Sequence, residues 1–287
     1  MQICLFRKER KLGNKKGSIF AGVLLFLCLC MMIPTAASAK TYKQVLNQYI
    51  GKGKKYTVLA YNATHERAYI YAKADTKSKC YGSLGYGDAV IVNTSKLKKN
   101  KEYAWLPVYL NNRKTKKGPV TAYVVIKRMK LDLVNSNTFS KNSTINKAIK
   151  TGMAYLGTPF QLGSSSLSGQ IDCANFVVQC FRRAGKNLCS WAHTNNLQQV
   201  CREIFWHRKN SLLSKKQLGY MKPGDLLFYF EEDDHGPIDH VAIYIGNGYM
   251  INSSGHYGTS YPMGGITIKR VQYGNRYMVR CMRIYGY

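Results

Sequence analysis

The sequence predicts an α+β chain in two folded parts: a small all-β barrel, then a domain of helices packed on an antiparallel sheet. Three observations predict it. Residues from about 55 to 130 hold short runs rich in Val, Ile and Tyr, broken by Gly and Pro. Apolar residues at helical spacing follow between about 149 and 181. After Pro223-Gly224-Asp225 the pattern returns to strands, and helices followed by strands point to an α+β domain. With 287 residues, 45% of them hydrophobic, the chain has enough apolar material for one large core or two modest ones.

The first 39 residues read as an export signal rather than as part of either domain. Arg7, Lys8, Arg10, Lys11, Lys15 and Lys16 form a basic start, and an apolar run extends from Ile19 to Ile33. Ala37-Ser38-Ala39 then supplies the small residues that a signal peptidase reads, so cleavage is expected after Ala39. The run of about fifteen residues is short of the ~20 needed to span a bilayer. No stable membrane insertion is expected after cleavage.

In the first folded part, taken as residues 40–132, strands are expected at Tyr56–Leu59, Ala68–Tyr71, Asp88–Val92, Tyr103–Tyr109 and Ala122–Ile126. Gly82, Gly85, Gly87 and Gly118-Pro119 punctuate them, a spacing that suits a small barrel. Residues 133–147 are polar and read as a linker, with Ser143 or Thr144 as a helix cap. The second part, 148–287, opens with Ile149, Met153 and Leu156 on one face of a helix that ends near Gly157. Another helix is expected from Cys173 to Gly185, with Phe176, Val177, Cys180 and Phe181 as its apolar stripe and Arg182-Arg183 in its last turn. Strands follow at Leu226–Phe230, Val241–Ile245, Tyr249–Ile251 and Ile266–Val271. No internal repeat is visible.

The net charge is +29, of which residues 1–39 hold +5 and the remainder +24. Such a charge describes partners rather than fold. An exported protein rarely meets nucleic acid, so an anionic surface, cell-wall polymers or a membrane face, is the expected partner. Of nine cysteines, Cys4, Cys28 and Cys30 lie in the leader. The other six, Cys80, Cys173, Cys180, Cys189, Cys201 and Cys281, contain no Cys-x-x-Cys pair, which disfavours a structural zinc site. No metal or other cofactor is expected. Export permits disulfides; Cys189–Cys201 is the one pairing considered, and at least one thiol besides Cys173 should be free.

Three residues carry chemistry. Cys173 opens a helix, where first-turn N–H groups and the helix dipole favour a thiolate and could hold an oxyanion. His240 begins the Val-Ala-Ile-Tyr-Ile-Gly strand and could take the thiol proton. His65, His193, His207, His235 and His256 lack that context, and His256 is the second candidate. Asn252 lies twelve positions after His240, past the Gly246-Asn247-Gly248 turn. An adjacent antiparallel strand would bring its amide oxygen to the ring N–H and fix the tautomer. Asp172 precedes the thiol and could receive a cationic substrate amine, whereas Asp225 is read as shaping a turn.

These segments resemble a known family. Gly157-Thr158-Pro159-Phe160, Asp172-Cys173-Ala174-Asn175-Phe176-Val177, Pro223-Gly224-Asp225-Leu226-Leu227-Phe228, His240 through Gly248 and Met250-Ile251-Asn252 are similar, in order and spacing, to the NlpC-type papain-like cell-wall cysteine endopeptidases. The resemblance implies a papain-like domain that hydrolyses peptidoglycan stem peptides, typically between D-glutamate (through its γ-carboxyl) and a diamino acid. It implies Cys173 as nucleophile, His240 as base, Asn252 as the third polar residue and Asp172 as a contact for a substrate amine. The common Asp-Cys-Ser-Gly-Phe motif is altered here at Ala174 and Asn175. Ala68–Thr76, Gly87–Val92, Trp105–Val108 and Tyr123–Ile126 resemble a bacterial SH3-like domain, which implies wall or substrate binding. The expectation is a secreted, wall-associated thiol protease whose partners are peptidoglycan and anionic wall polymers. An N-acetylmuramoyl-L-alanine amidase of the related cysteine, histidine-dependent group is the alternative, as is a wall-binding protein with an inactive enzyme domain.

Overall fold

The computed structural model describes residues 47, 49, 52, 56–97, 104–116, 118–135, 138–230, 238–255, 261–274 and 276–287. The expected leader and Tyr103 lie outside them. Seven strands come first: β1 (Tyr56–Asn62), β2 (Ala68–Tyr71), β3 (Cys80–Leu84), β4 (Asp88–Ile91), β5 (Trp105–Thr115), β6 (Gly118–Val125) and β7 (Met129–Asn135). Helices α1 (Ser143–Ala154), α2 (Cys173–Arg183) and α3 (Thr194–Gln199) follow, then β8 (Cys201–His207) and α4 (Lys215–Tyr220). The chain ends with β9 (Leu226–Phe230), β10 (Ile238–Gly246), β11 (Tyr249–Ser254), β12 (Gly265–Arg270) and β13 (Val279–Ile284).

The strands form two antiparallel sheets. One has four strands in the order β3-β2-β6-β5; the other has nine, in the order β7-β1-β4-β12-β11-β10-β9-β13-β8. The large sheet therefore draws strands from both parts of the chain. The join is the β4–β12 pairing, with Ala89 opposite Ile268 and Asp88 opposite Lys269. Lys269 Nζ lies 2.5 Å from Asp88 Oδ1, a nearly buried ion pair across that join.

Three apolar clusters follow from this layering. Under the helices, Leu59 and Ala89 pack with Ile149, Phe176, Val241, Ile251 and Ile268. Val58, Ala60, Ile70, Leu84, Val90 and Val124 fill a second core among the first seven strands. Leu227, Tyr229, Ala242, Tyr244 and Met250 form the third. Strand β10 is covered on both faces, which is why Val241–Ile245 reads as an unbroken apolar run rather than an alternating one. On α2 the stripe is as expected: Phe176, Val177, Cys180 and Phe181 are fully buried. Each large apolar side chain there contributes roughly 1.5–3 kcal/mol of transfer free energy.

Several local details differ from expectation. The cap of α1 is Asn142, not Ser143 or Thr144: its extended backbone lets Oδ1 accept the Ile145 N–H at 3.0 Å, and Ser143 is already helical. Residues 133–147 hold the end of β7 and the start of α1. Helix α1 stops at Ala154, and Gly157 turns the chain at φ +93°. A Cβ at Gly157 would sit 2.6 Å from the Asn112 backbone nitrogen, so only glycine lets this turn lie against β5. Cys189 and Cys201 are not bonded: every cysteine among the described residues is free, and Cys201 is buried at the start of β8, paired opposite Ile284. Asp225 does shape its turn, accepting the Lys222 N–H at 2.7 Å. It also forms a buried bidentate ion pair with Arg283 at 2.7 and 2.8 Å, which the sequence did not disclose.

Candidate active site

Cys173 is the first residue of α2, and Asp172 caps that helix by accepting the Asn175 N–H at 2.7 Å. The cap fixes where the helix begins and so places the thiol at its positive end. The helix packs on β10, and the thiol rests against backbone on both sides of His240: Sγ lies 3.8 Å from the Asp239 carbonyl, and the Val241 N–H points to the sulfur. Cys173 is 8% exposed and His240 6%.

His240 and Asn252 meet across neighbouring strands. Nε2 of His240 lies 3.1 Å from Asn252 Oδ1. The other end of the amide settles the direction of this bond. Asn252 Nδ2 donates to the Thr267 carbonyl at 3.3 Å, so Oδ1 is the end facing the ring and must accept. Nε2 therefore carries the proton, and Nδ1 keeps the lone pair that a base needs. Asn252 is fully buried and is held opposite Thr267 in the β11–β12 register. The Tyr229 ring packs 5.8 Å from the imidazole, and its hydroxyl donates to the Val271 carbonyl at 2.6 Å.

Electrostatics keep the resting pair neutral. Burial pushes the Cys173 thiol up to about 11, although the Val241 and Ala174 N–H groups oppose that rise. Burial, reinforced by the Arg276 cation, pulls His240 down to about 3. Arg276 is held by Asp239 through two bonds of 2.9 Å and donates to the Phe230 carbonyl at 3.2 Å.

Cys173, His240 and Asn252 thus converge at one place, with Asp172 beside them. Its carboxylate is engaged within the protein, Oδ2 accepting from Asn175 Nδ2 at 2.9 Å and from the Gly163 N–H at 3.0 Å. His207 instead sits near Ser211 and Gln217, His193 caps α3, and His65 stacks on Tyr86. His235 and His256 lie outside the described residues. Sequence reasoning missed Thr267, Asp239 and Arg276. Asp239 is signalled only by adjacency to His240, and Arg276 lies 37 positions away with no motif to mark it.

Comparison with known proteins points the same way. Residues 157–276 match the NlpC/P60 family. The γ-D-glutamyl-L-lysine dipeptidyl-peptidase of Bacillus subtilis is 30% identical over 113 residues, 39% of this chain and 33% of that protein. The peptidoglycan DL-endopeptidase CwlO of Bacillus licheniformis is 30% identical over 127 residues, 42% of this chain and 25% of that protein. The murein DD-endopeptidase MepH of Escherichia coli is 29% identical over 113 residues, 38% and 37% of the two chains. The matched stretch thus spans 25–37% of these relatives' lengths. A crystal structure of an NlpC/P60 family protein from Bacillus cereus aligns over 83% of this chain and 66% of its own, at 18% identity and a TM-score of 0.37. With its thiol, imidazole and amide assembled inside the matched segment, the chain carries an NlpC/P60 family domain over residues 157–276.

Proposed function

We propose that the protein is a secreted cysteine endopeptidase that cuts peptidoglycan stem peptides, between D-glutamate (through its γ-carboxyl) and the following diamino acid. The observation that carries this reading is the His240–Asn252 bond, which leaves Nδ1 free as a base on the strand that flanks the Cys173 thiol. In this mechanism Nδ1 takes the thiol proton as sulfur attacks the amide carbonyl. The tetrahedral oxyanion is held by first-turn N–H groups of α2. The C–N bond then breaks, and the imidazolium gives its proton to the leaving amine. Water, activated by the same nitrogen, hydrolyses the thioester and restores the thiol.

The relatives' names support peptidoglycan as the substrate. The basic leader with its Ala37-Ser38-Ala39 ending supports export, and the +24 that remains supports retention at an anionic wall. Among the described residues no helix is long and apolar enough to cross a membrane. In this reading the strands within 40–132 belong to an SH3-like wall- or substrate-binding part, joined to the large sheet through the β4–β12 pairing and the Asp88–Lys269 ion pair.

Mass spectrometry of peptidoglycan fragments after digestion tests the assigned bond. A new free amine on the diamino acid, absent with Cys173→Ala, is the expected product. Intact stem peptides released from muramic acid would replace this reading with an amidase.

A further inference from the structure

Strand β10 is irregular beside the active site. Ile238 stands opposite Phe230 and His240 opposite Tyr229, so Asp239 has no partner on β9 and forms a β-bulge. Packing requires the extra residue. Ile238 packs against the core under the helices, as do Val241, Ile243 and Ile245. Positions 238 and 241 are an odd number of residues apart, and a strictly alternating strand would send them to opposite faces. The bulge brings both to the helix side while His240 reaches Asn252. Bulges twist a strand locally and re-aim its side chains. This one also presents the Asp239 carbonyl to the Cys173 sulfur at 3.8 Å.

One side chain spans the irregularity. Arg276 donates to both oxygens of Asp239, at 2.9 Å each, and to the carbonyl of Phe230, the residue opposite Ile238, at 3.2 Å. A single planar guanidinium thus joins the bulged residue to the facing strand, which a point charge on a flexible stem does not reproduce. Arg276 is itself braced. Its N–H donates to the Tyr273 carbonyl at 2.8 Å, and the Gly274 N–H in that turn donates to the Tyr86 carbonyl at 2.8 Å. Gly87 lies against the same turn: its φ is +81°, and a Cβ on it would sit 2.8 Å from the Tyr273 Cβ. The guanidinium therefore rests on a turn fixed by the first folded part. With side chains 25% and 29% exposed, the pair contributes little to stability as an ion pair alone.

We propose that Arg276 is a positioning residue for catalysis: by locking the bulge at Asp239, it holds His240 and the backbone that faces the sulfur in the geometry for proton transfer from Cys173. This rests on the cysteine-peptidase reading above, though not on which stem bond is cut.

The test is Arg276→Lys in the full chain, which keeps a cation near His240 and removes the fork. On a stem peptide that the wild type cuts, kcat should fall about 10- to 100-fold, the cost of an ångström-scale misplacement, with KM within about twofold. The acid limb of the kcat/KM profile should stay where the wild type has it, because the charge acting on His240 remains. The melting temperature should shift by less than about 4 °C. Asp239→Asn breaks the same fork from the other side and should lower kcat alike, and the double variant should lose no more than the larger single loss. Full kcat in Arg276→Lys, or losses at the two positions that multiply, would overturn the proposal. A larger fall in melting temperature would assign the pair a structural role instead. Should Arg276→Lys not fold, Asp239→Asn decides on the same criteria. If the wild type cuts no stem peptide, the peptidase reading falls, and nitrogen NMR of histidine-labelled protein decides this inference separately. The wild type should show His240 as a single Nε2–H tautomer and Arg276→Lys an average of two; an unchanged His240 signal would overturn the proposal.

Discussion

Asn252 holds His240 in one tautomer: its Oδ1 accepts from Nε2 at 3.1 Å while its Nδ2 is tied to the Thr267 carbonyl. An amide can orient the ring but cannot stabilise imidazolium as a carboxylate would. Asn252→Ala should therefore lower kcat by about 10- to 100-fold, and His240→Ala by about 10³-fold or more. Steady-state kinetics on a stem peptide would check the order. A larger loss at Asn252 than at His240 would contradict the assignment of base and orienter.

The pH dependence follows from burial. Activity should stay level as pH falls through 6.5, because His240 is held near 3 and remains neutral. Arg276→Met removes a cation that opposes the imidazolium and leaves Asp239 unpaired, so the acid limb should move upward. A kcat/KM profile of both proteins checks this. Stability has a matching sign. The folded pKa lies below the unfolded value of 6.5, so between pH 6.5 and 3 the unfolded chain binds more protons and stability falls as pH falls. Denaturation at pH 7 and 4, wild type against His240→Gln, isolates that contribution.

The Asp225–Arg283 pair should be a major stability determinant. Asp225 is 1% exposed, so Arg283→Met leaves a buried carboxylate without its counter-ion. Removing one partner of a buried pair costs about 3–5 kcal/mol. Urea unfolding should show a loss of that size; a loss below about 1 kcal/mol would mean that the pair is more hydrated than its burial implies.

The first seven strands should not be separable from the rest. Leu59, Ala89 and Val134 are part of the core under α2, and β4 pairs β12. A fragment from residue 138 onward would expose the β12 edge and bare Ile268 and Tyr261. It should be insoluble or lack a cooperative melt, as circular dichroism would report. A stable, active fragment would show that β12 does not need β4.

Much of this was legible in the sequence where signals are local. The runs 68–71 and 226–230 give their strands to the residue, and the apolar stripe of Phe176, Val177, Cys180 and Phe181 gives the helix that opens at Cys173, whereas its Asp172 cap was not anticipated. The spacing of His240 and Asn252 across a Gly-Asn-Gly turn anticipates their pairing. What escaped depends on distant partners. β8 carries Arg202 and Glu203 on an edge strand, where charges are tolerated. β7 alternates Lys130 and Asp132 with apolar residues, but its end merges into the polar stretch after it. The β4–β12 join links positions some 180 residues apart, and no spacing rule encodes it.

The most direct test of the central assignment is kcat/KM on a defined, N-acetylated stem peptide for the wild type and Cys173→Ala, with both shown to be folded. A nucleophile that forms the acyl-enzyme should be indispensable, so the variant should lose at least about 10⁴-fold. Activity within about tenfold of the wild type would show that Cys173 is not the nucleophile.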